Sequence, residues 1–325
     1  MTKLDEVIAQ INRKHVYIQT HNFPDPDAIA SAFGLQELLK YRGIESTICY
    51  KGKIDRYSTD KLREMLQIEL YNIEDLGAVL TNEDEVILVD AQKGNSNIIN
   101  MTGDEIICID HHPTFENSRN VIYRYADIRP ELGACSTIIA EYYIENNVPI
   151  DTKVATALIY GIKSDTMGLS RGVSSKDVDV YCHLFKLADS KILQSLEHCS
   201  IRFDDLKAYG NAINSIKVFN NVSFANTGSD CPEALIATIS DFMLNLIEVN
   251  ISIVYSLKKE GIKLSIRSTG EYDAGKLTNA ALEGIGGGGG HASMAGGFVP
   301  VNGNQDIEQL IEEIQDRFLN IIFNK

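Results

Sequence analysis

The sequence has no C-x-x-C pair and no long apolar run. Its six cysteines are scattered along the chain: Cys49, Cys108, Cys135, Cys182, Cys199 and Cys231. This spacing excludes a zinc ribbon and a disulfide framework, and it favours reduced, mostly buried thiols. No apolar run is long enough to cross a bilayer, and the first six residues lack the apolar core of a signal peptide. We therefore expect a cytoplasmic protein that does not associate with membranes.

Positive charge is also scarce. The chain has 30 lysine and arginine residues against 45 aspartate and glutamate residues, which gives a formal net charge of -15. Such a surface repels long polyanions and gains nothing from counterion release on duplex DNA, so we expect no duplex-DNA partner. A small anionic substrate stays compatible with this charge if bound cations make one pocket locally positive.

The rest of the composition is that of a globular protein, with 44% hydrophobic and 23% charged residues. Short apolar runs alternate with helical patterns, which predicts an α/β fold built on a parallel sheet with helices on both faces. A helix is expected first, over Lys3–Lys14. The predicted buried strands that follow are His15–Thr20, Ile44–Tyr50, Glu85–Asp90 and Glu105–Asp110.

The length of 325 residues suffices for two domains. Helical patterns dominate residues 135–146, 152–161, 176–187 and 191–198. From about Val222 the pattern is that of a smaller α/β domain, with a hairpin over Ile251–Ser268 and a closing helix over Asp306–Phe323. We expect a first domain over residues 1–190, a helical connector over 191–220 and a second domain over 221–325.

The stretch His21-Asn22-Phe23-Pro24-Asp25-Pro26-Asp27 lies on a strand-to-helix turn, at the edge of a parallel sheet where ligands bind. The two prolines stiffen the turn. An imidazole and two carboxylates held close together favour a bound cation. The alternative is that Asp27 simply caps the following helix.

Three further positions carry the same kinds of side chain. Asp90 ends the predicted strand Glu85–Asp90, and Asp110-His111-His112 stands at the end of the predicted strand Glu105–Asp110. Asp165 lies at the end of an apolar helix, where the helix dipole disfavours a carboxylate. Each position alone fits an ordinary turn, loop or helix-terminal residue. Together they suffice for two metal ions that share a carboxylate, and imidazole with carboxylate suits Mn, Fe, Co or Zn.

These clusters resemble the four motifs of the DHH phosphoesterases, a family named for Asp-His-His. The resemblance implies that Asp90 bridges two Mn²⁺ ions and takes part in catalysis, with Mg²⁺ or Co²⁺ as substitutes. It implies two ligand sets that share Asp90: His21 and Asp25 for one ion, and Asp27, His111 and Asp165 for the other. The same resemblance implies catalytic roles for His112, which faces the substrate, and for Asp110, which orients an imidazole.

The C-terminal part resembles the DHH-associated domain with its G-G-G-H signature. The residues that carry this resemblance and would bind substrate are Arg267, Gly288, Gly289, Gly290 and His291. Glycines let backbone N–H groups approach an anion, and an arginine can bind phosphate through two hydrogen bonds. The alternatives are a flexible glycine linker and a solvated arginine. The pyrophosphatase branch of the family carries a different C-terminal domain.

From this resemblance we expect a manganese-dependent phosphoesterase that acts on very short oligonucleotides, as a nanoRNase-like exonuclease, or on 3′-phosphoadenosine 5′-phosphate. The alternatives are a phosphodiesterase for cyclic or linear dinucleotides and a metal-retaining nucleotide sensor with little catalysis. The partners expected are therefore nucleotides rather than duplex DNA or membranes, and a homodimer stays open as the assembly.

Overall fold

A computed structural model describes residues 1–54, 57–76, 80–95, 97–114, 121–198, 201–301 and 306–323. The chain divides into two compact units, Met1–Ser200 and Ile201–Lys325. The division falls inside the stretch 191–220 that we predicted as a helical connector. Among the described helices, none has both the length and the apolarity that a bilayer crossing requires.

In the residues that the structure describes, the first unit contains a six-stranded sheet and eight α-helices. The strands are β1 (His15–Gln19), β2 (Glu45–Tyr50), β3 (Tyr71–Asn72), β4 (Glu85–Val89), β5 (Asp104–Asp110) and β6 (Tyr125–Ile128). The helices are α1 (Lys3–Ala9), α2 (Pro26–Tyr41), α3 (Tyr57–Leu66), α4 (Ile73–Leu76), α5 (Cys135–Glu145), α6 (Thr152–Asp165), α7 (Ser175–Phe185) and α8 (Ser190–Glu197).

All neighbouring strands of this sheet run parallel, in the order β3-β2-β1-β4-β5-β6. The order reverses at β1, which lies between β2 and β4. In open α/β sheets the crevice at such a reversal, outside the carboxyl ends of the strands, is the usual ligand site. The predicted parallel α/β fold is confirmed, and the turns after β1 and β4 flank this crevice.

The core explains why these segments form a layered sheet. Alternate residues of β1 point to opposite faces: Val16 and Ile18 join the large helix-covered cluster, whereas Tyr17 packs on the other face. Helix α2 is buried on almost all sides because it packs between the sheet and the helices α5 and α6. The smaller cluster around Tyr17 is completed by Cys49, Val86, Leu88 and Met101.

Helix α1 is shorter than predicted. It ends at Ala9 instead of Lys14 because the carboxylate of Glu85 competes for the following backbone. The N–H groups of Asn12 and Arg13 donate to one oxygen of Glu85, at 2.8 and 3.1 Å, and this pulls the chain out of the helix. The competing acceptor lies more than seventy residues away in sequence, so periodicity could not reveal it.

The second unit holds a mixed six-stranded sheet in the order β11-β12-β10-β9-β8-β7. Its strands are β7 (Lys217–Phe219), β8 (Val222–Ser229), β9 (Ile251–Lys258), β10 (Gly261–Ser268), β11 (Gly287–Gly290) and β12 (Met294–Pro300). Its helices are α9 (Leu206–Ser215), α10 (Glu233–Met243), α11 (Ala274–Leu282) and α12 (Ile307–Phe323). The predicted hairpin is β9–β10, which pair antiparallel, and the glycine run is a strand paired with β12.

Candidate metal centre

The turns that follow three strands of the first sheet bring acidic and imidazole side chains together. Potential ligand atoms lie within 4.8 Å of one another in three groups. The first is His21, Asp25 and Asp90, the second is Asp27, His111 and Asp165, and a third, overlapping group is Asp90, Asp110, His111 and His112. Helix α6 supplies Asp165, its last residue, to the second group. All six of the predicted metal ligands are therefore collected at one edge of the sheet.

The first group lies at the turn between β1 and α2. Nε2 of His21 is 3.9 Å from Oδ1 of Asp25 and 3.6 Å from Oδ2 of Asp90. Asp25 is also the N-cap of α2, since its Oδ1 accepts hydrogen bonds from the backbone N–H groups of Asp27 and Ala28. This capping fixes the carboxylate at the start of the helix.

The second group is centred on His111. Its Nε2 lies 3.4 Å from Oδ1 of Asp90, 3.5 Å from Oδ2 of Asp165 and 3.9 Å from Oδ2 of Asp27. These distances are too long for strong hydrogen bonds but leave room for a cation among the four atoms.

Asp90 is a member of the first group and also faces His111 of the second, with one oxygen near each imidazole. The residue is buried and has φ +57°, a left-handed conformation that non-glycine residues rarely adopt. Its Oδ1 accepts no hydrogen bond from the described residues. A buried carboxylate oxygen in this state normally has a partner, and a shared metal ion is the partner that this surrounding favours.

Backbone carbonyls orient the two imidazoles. Nδ1 of His21 lies 2.9 Å from the carbonyl oxygen of Asn22, and Nδ1 of His111 lies 3.2 Å from that of Leu132. Because a carbonyl can only accept, each Nδ1 carries a proton, so each Nε2 faces the acidic cluster and would offer its lone pair to a bound cation. Metal-binding histidines are held in this tautomer by the same kind of contact.

Asp27 is anchored by the start of helix α5. Its two oxygens accept hydrogen bonds from the backbone N–H groups of Cys135 and Ser136, at 2.7 and 2.9 Å. The N-cap residue of this helix, Ala134, has no side-chain acceptor. Helix α6 can approach because residue 161 is glycine: a methyl group there would lie 2.2 Å from Ser136 Oγ and 2.9 Å from Asp27 Oδ1.

Asp110 and His112 form a hydrogen-bonded pair beside Asp90. Oδ1 of Asp110 accepts from Nδ1 of His112 at 2.8 Å and from the backbone N–H groups of both histidines that follow it. Oδ2 of Asp110 accepts from Nε2 of Gln92 at 2.9 Å, and the same nitrogen also donates to the carbonyl of His112. The pair is thus clamped by side-chain and backbone contacts.

The charges of the cluster shift its protonation. Burial lowers the pKa of His21, but the adjacent carboxylates of Asp25 and Asp90 outweigh it and raise the pKa to about 10. Burial, followed by the charges of Asp90 and Asp165, raises the pKa of Asp27 well above its usual range, although two amide donors favour its carboxylate form. Burial likewise raises the pKa of Asp90. Without a cation the cluster therefore retains protons.

This donor set fits a pair of divalent ions. It offers carboxylates and neutral imidazoles in a buried place where uncompensated negative charge is costly, and Asp90 offers one oxygen to each group. Imidazole with carboxylate is the ligand mixture of Mn, Fe, Co and Zn rather than of Ca or Mg alone.

Comparison with known proteins agrees with this geometry. The model of the DHH family, N-terminal domain, matches residues 15–162, and that of the DHHA1 domain matches residues 218–320. The chain belongs to the DHH phosphoesterase family. Asp165 lies three residues beyond the first matched range, and the structure nevertheless places it against His111.

Two relatives are similar to this chain over nearly its whole length. The uncharacterised protein MJ1633 of Methanocaldococcus jannaschii is 30% identical over 314 residues, 94% of this chain and 63% of that protein. The cyclic-di-AMP phosphodiesterase GdpP of Geobacillus thermodenitrificans is 25% identical over 344 residues, 97% of this chain and 49% of that protein. The chain therefore spans only about half to two thirds of the length of these two relatives.

A third relative matches about half of this chain, and two solved structures share its fold. The probable bifunctional oligoribonuclease and PAP phosphatase NrnA of Streptococcus mutans is 27% identical over 171 residues, 51% of this chain and 50% of that protein. An exopolyphosphatase-related protein from Bacteroides fragilis superposes with a TM-score of 0.78 over 100% of both chains at 18% identity. RecJ of Thermus thermophilus, solved with Mn²⁺, gives a TM-score of 0.57 over 99% of this chain and 54% of RecJ at 12% identity.

In the DHHA1-matched part, the predicted substrate-binding glycines and His291 lie at one edge of the second sheet. Gly288 has no room for a side chain, since a methyl group would lie 2.7 Å from the carbonyl oxygen of Gly296, and Gly290 has φ +154°. Gly289, between them, would meet nothing among the described residues. The carbonyl of His291 accepts from the N–H of Gly275 in the first turn of α11. The glycines thus allow a flat strand beside this helix.

The side chain of Arg267 is buried, so it is not the solvated strand arginine of the alternative interpretation. It is 5% exposed, and its Nε donates to Oδ1 of Asp241 on α10 at 2.7 Å. Nη1 donates to Oγ of Ser265 and to the carbonyl of Ile266. The guanidinium is thus held on the α10 face of β10, whereas α11 packs on the opposite face through Ile266 and its neighbours.

Two residues of the site escaped the sequence analysis. Gln92 clamps Asp110 and His112, and its only sequence signal is its position two residues after the strand-ending Asp90. Phe23 lies inside the first motif with a left-handed backbone, φ +55°, which no pattern of the motif indicates. Other contacts that orient the site, such as that of His111 with the carbonyl of Leu132, involve backbone atoms, and the residue types in the sequence do not identify them.

Proposed function

We propose that this protein hydrolyses phosphodiester bonds of linear dinucleotides and other very short oligonucleotides, with two Mn²⁺ ions held by the candidate metal centre. The single observation that carries the proposal is the position of Asp90, whose two oxygens face two separate imidazole–carboxylate groups at 3.4 and 3.6 Å. Paired divalent ions are typical of enzymes that displace groups on phosphorus. RecJ, which shares the fold, was solved with Mn²⁺.

When bound, the metal ions supply Lewis acidity, which lowers the pKa of the attacking water and offsets charge on the phosphate oxygens. The protein's own residues position the reaction. His21 and Asp25 would hold one ion, Asp27, His111 and Asp165 the other, and Asp90 both. The rigid anchoring of Asp25 and Asp27 by helix N-termini keeps the geometry fixed and limits reorganisation during the reaction.

His112 is the proton-bearing group of the proposed mechanism. Its Nδ1 donates to Asp110, so Nε2, on the opposite side of the ring, is the atom through which it would contact the substrate phosphate or leaving oxygen. Burial opposes protonation of His112, but the charge of Asp110 outweighs it and raises its pKa. An imidazolium held in this way can stabilise a phosphate oxygen or donate a proton to the leaving group.

The substrate class rests on relatives and on charge. The relative NrnA is named as an oligoribonuclease and PAP phosphatase, and it matches half of this chain. The net charge of -15 disfavours long polyanions. We assign substrate binding to the glycine strand Gly288–Gly290 and to His291, since backbone N–H groups are suited to phosphate. For Arg267, substrate binding stays a prediction of the family resemblance, because its Nε and Nη1 already donate to Asp241, Ser265 and Ile266.

A cyclic dinucleotide is the second candidate substrate. The GdpP match extends over 97% of this chain, including the DHHA1 part, whereas the NrnA match covers 51%. The two candidates share the chemistry of the metal centre and differ only in whether the substrate has a free end.

The test is a substrate panel with the full chain and Mn²⁺: pApA, cyclic di-AMP, 3′-phosphoadenosine 5′-phosphate, pyrophosphate and polyphosphate. We expect fastest turnover of pApA, and turnover reduced at least about a hundredfold in Asp90→Asn. Preference for cyclic di-AMP would select the second candidate. Turnover of pyrophosphate alone, or of no compound in the panel, would overturn the proposal.

A further inference from the structure

Phe23 stands out among the residues of the first motif because its ring faces solvent. It is 58% exposed, although most of the turn around it is buried or half-buried. Its backbone has φ +55°, a conformation that costs a bulky residue folding free energy. Strain of this kind persists only where the surroundings impose it, and it is concentrated at functional sites.

Two backbone hydrogen bonds impose this conformation. The N–H of Phe23 donates to the carbonyl of Lys51 at 2.8 Å, and the N–H of Asn22 donates to the carbonyl of Asn97 at 2.7 Å. The turn is therefore clamped from the β2 side and from the segment that follows β4. With Pro24 next in sequence, the main chain at Phe23 has little freedom to relax.

The ring of Phe23 is supported by a glycine. A methyl group at Gly52 would lie 2.6 to 3.0 Å from three ring carbons of Phe23, so only glycine permits this approach. The exposed ring is therefore in close contact with the main chain at Gly52, which limits its movement on that side.

Phe23 lies in the turn that carries two of the candidate metal ligands. Phe23 is two residues from His21 and two from Asp25, so its Cα lies within about 7 Å of each of theirs. A nucleotide whose phosphate lies at the metals can reach this far with its base. Nucleobases stack on aromatic side chains, and a ring already supported on one side loses less conformational entropy on binding than a free one.

We propose that Phe23 is a stacking platform for a nucleobase of the substrate. This inference deepens the proposed function, on which it rests, by assigning the base-binding subsite for the nucleotide whose phosphate lies at the metals. The ring recognises the π-face of a base and not its edge, so the subsite should accept different bases.

The first experiment measures steady-state kinetics of the Mn²⁺-loaded full chain with pApA and with an otherwise identical abasic analogue. For Phe23→Leu we expect KM for pApA to rise roughly five- to hundredfold, with kcat within about twofold and no change for the abasic analogue. Phe23→Tyr should restore the wild-type KM. The matched control is Phe185→Leu, because Phe185 on α7 is also 58% exposed. Equal KM values for wild type and Phe23→Leu would overturn the proposal.

The second experiment needs no catalysis. The chain contains 14 tyrosines but no tryptophan, so Phe23→Trp introduces a single indole, which can be excited selectively at wavelengths that tyrosine does not absorb. We expect AMP to quench its fluorescence in a saturable manner in the presence of Mn²⁺, ribose 5-phosphate to have no effect, and Phe185→Trp to stay unquenched. No saturable quenching by AMP would overturn the stacking platform. Quenching in a protein that hydrolyses no nucleotide would support the platform and overturn only the proposed function.

Discussion

The carboxylate of Asp27 accepts a hydrogen bond of 2.7 Å from the backbone N–H of Cys135, a residue 108 positions further along the chain. A candidate metal ligand therefore caps the helix α5 that its own helix packs against. The same contact therefore positions a candidate metal ligand and stabilises the start of helix α5. For this reason, we expect metal binding to be coupled to the stability of the first unit.

Asp27→Asn tests this coupling. The amide keeps one acceptor for the helix but is a poor metal ligand, so the gain in unfolding free energy on adding Mn²⁺ should shrink. One site at a hundredfold excess of ion over its Kd contributes about 2.7 kcal/mol, and the variant should lose most of that amount. Thermal and denaturant unfolding with and without Mn²⁺ measure it. Asp151→Asn, at the N-cap of α6, is the control and should keep the full gain; an undiminished gain in Asp27→Asn would remove Asp27 from the ligand set.

Gln92 should affect the rate without holding metal. Gln92→Met removes both of its hydrogen bonds, to Asp110 and to the carbonyl of His112, while keeping a similar volume. We expect kcat to fall about 10- to 100-fold, the size of effect typical of residues that orient metal-site groups, with the Mn²⁺ content unchanged. Metal analysis and steady-state kinetics provide the two readings.

The control for Gln92 is Gln36→Met on α2. Gln36 also donates to a backbone carbonyl, that of Ser46, but lies about 15 Å along the helix from the metal ligands at its start. It should keep the wild-type kcat. A wild-type kcat in Gln92→Met would show that the clamp on Asp110 and His112 is not needed.

Metal affinity should increase with pH. Without a cation, His21 has a pKa of about 10, and those of Asp27 and Asp90 are raised, so bound protons must leave when Mn²⁺ enters. Calorimetry in buffers of different ionisation enthalpy between pH 6 and 8 should show proton release and a falling Kd. An affinity independent of pH would contradict protonation of the empty cluster.

The stability of the metal-free protein should follow the opposite trend. Because the folded-state pKa of His21 lies above its ordinary value of about 6.5, its contribution to stability is complete below pH 6.5 and is lost as the pH rises towards about 10. The raised pKa of Asp27 acts in the same direction. Urea unfolding of the metal-free chain should therefore give a smaller free energy at pH 9 than at pH 6, and Mn²⁺ should remove this difference.

Gly161 should be intolerant of a methyl group. In Gly161→Ala the added carbon would meet Ser136, Asp27 and Ala30 at 2.2, 2.9 and 3.1 Å. We expect a loss of about 1–3 kcal/mol in unfolding free energy and weaker Mn²⁺ binding, because Asp27 must move. The control is Gly210→Ala in α9, where the methyl group would contact nothing among the described residues; it should be neutral or slightly stabilising. Equal stabilities of the two variants would refute the close approach of α2 and α6.

The local sequence pattern was enough to predict the buried strands and the site residues at their carboxyl ends. The strands β1, β4 and β5 are short and apolar, and polar residues at their carboxyl ends converge because all three are parallel. The end of α1 was not predictable, since it depends on Glu85 binding the backbone of residues 12 and 13. The burial of Arg267 against Asp241 was equally invisible, because the two residues are joined only by tertiary packing.

Whether Asp90 joins two metal ions can be measured by a Mn²⁺ titration of the metal-free full chain followed by low-temperature EPR. Asparagine tolerates the φ of +57° at this position, so Asp90→Asn should fold. We predict two ions per wild-type chain with an exchange-coupled spectrum, and in Asp90→Asn at most one uncoupled ion with turnover reduced at least about a hundredfold. A single uncoupled ion in the wild type, or two coupled ions in Asp90→Asn, would contradict the account.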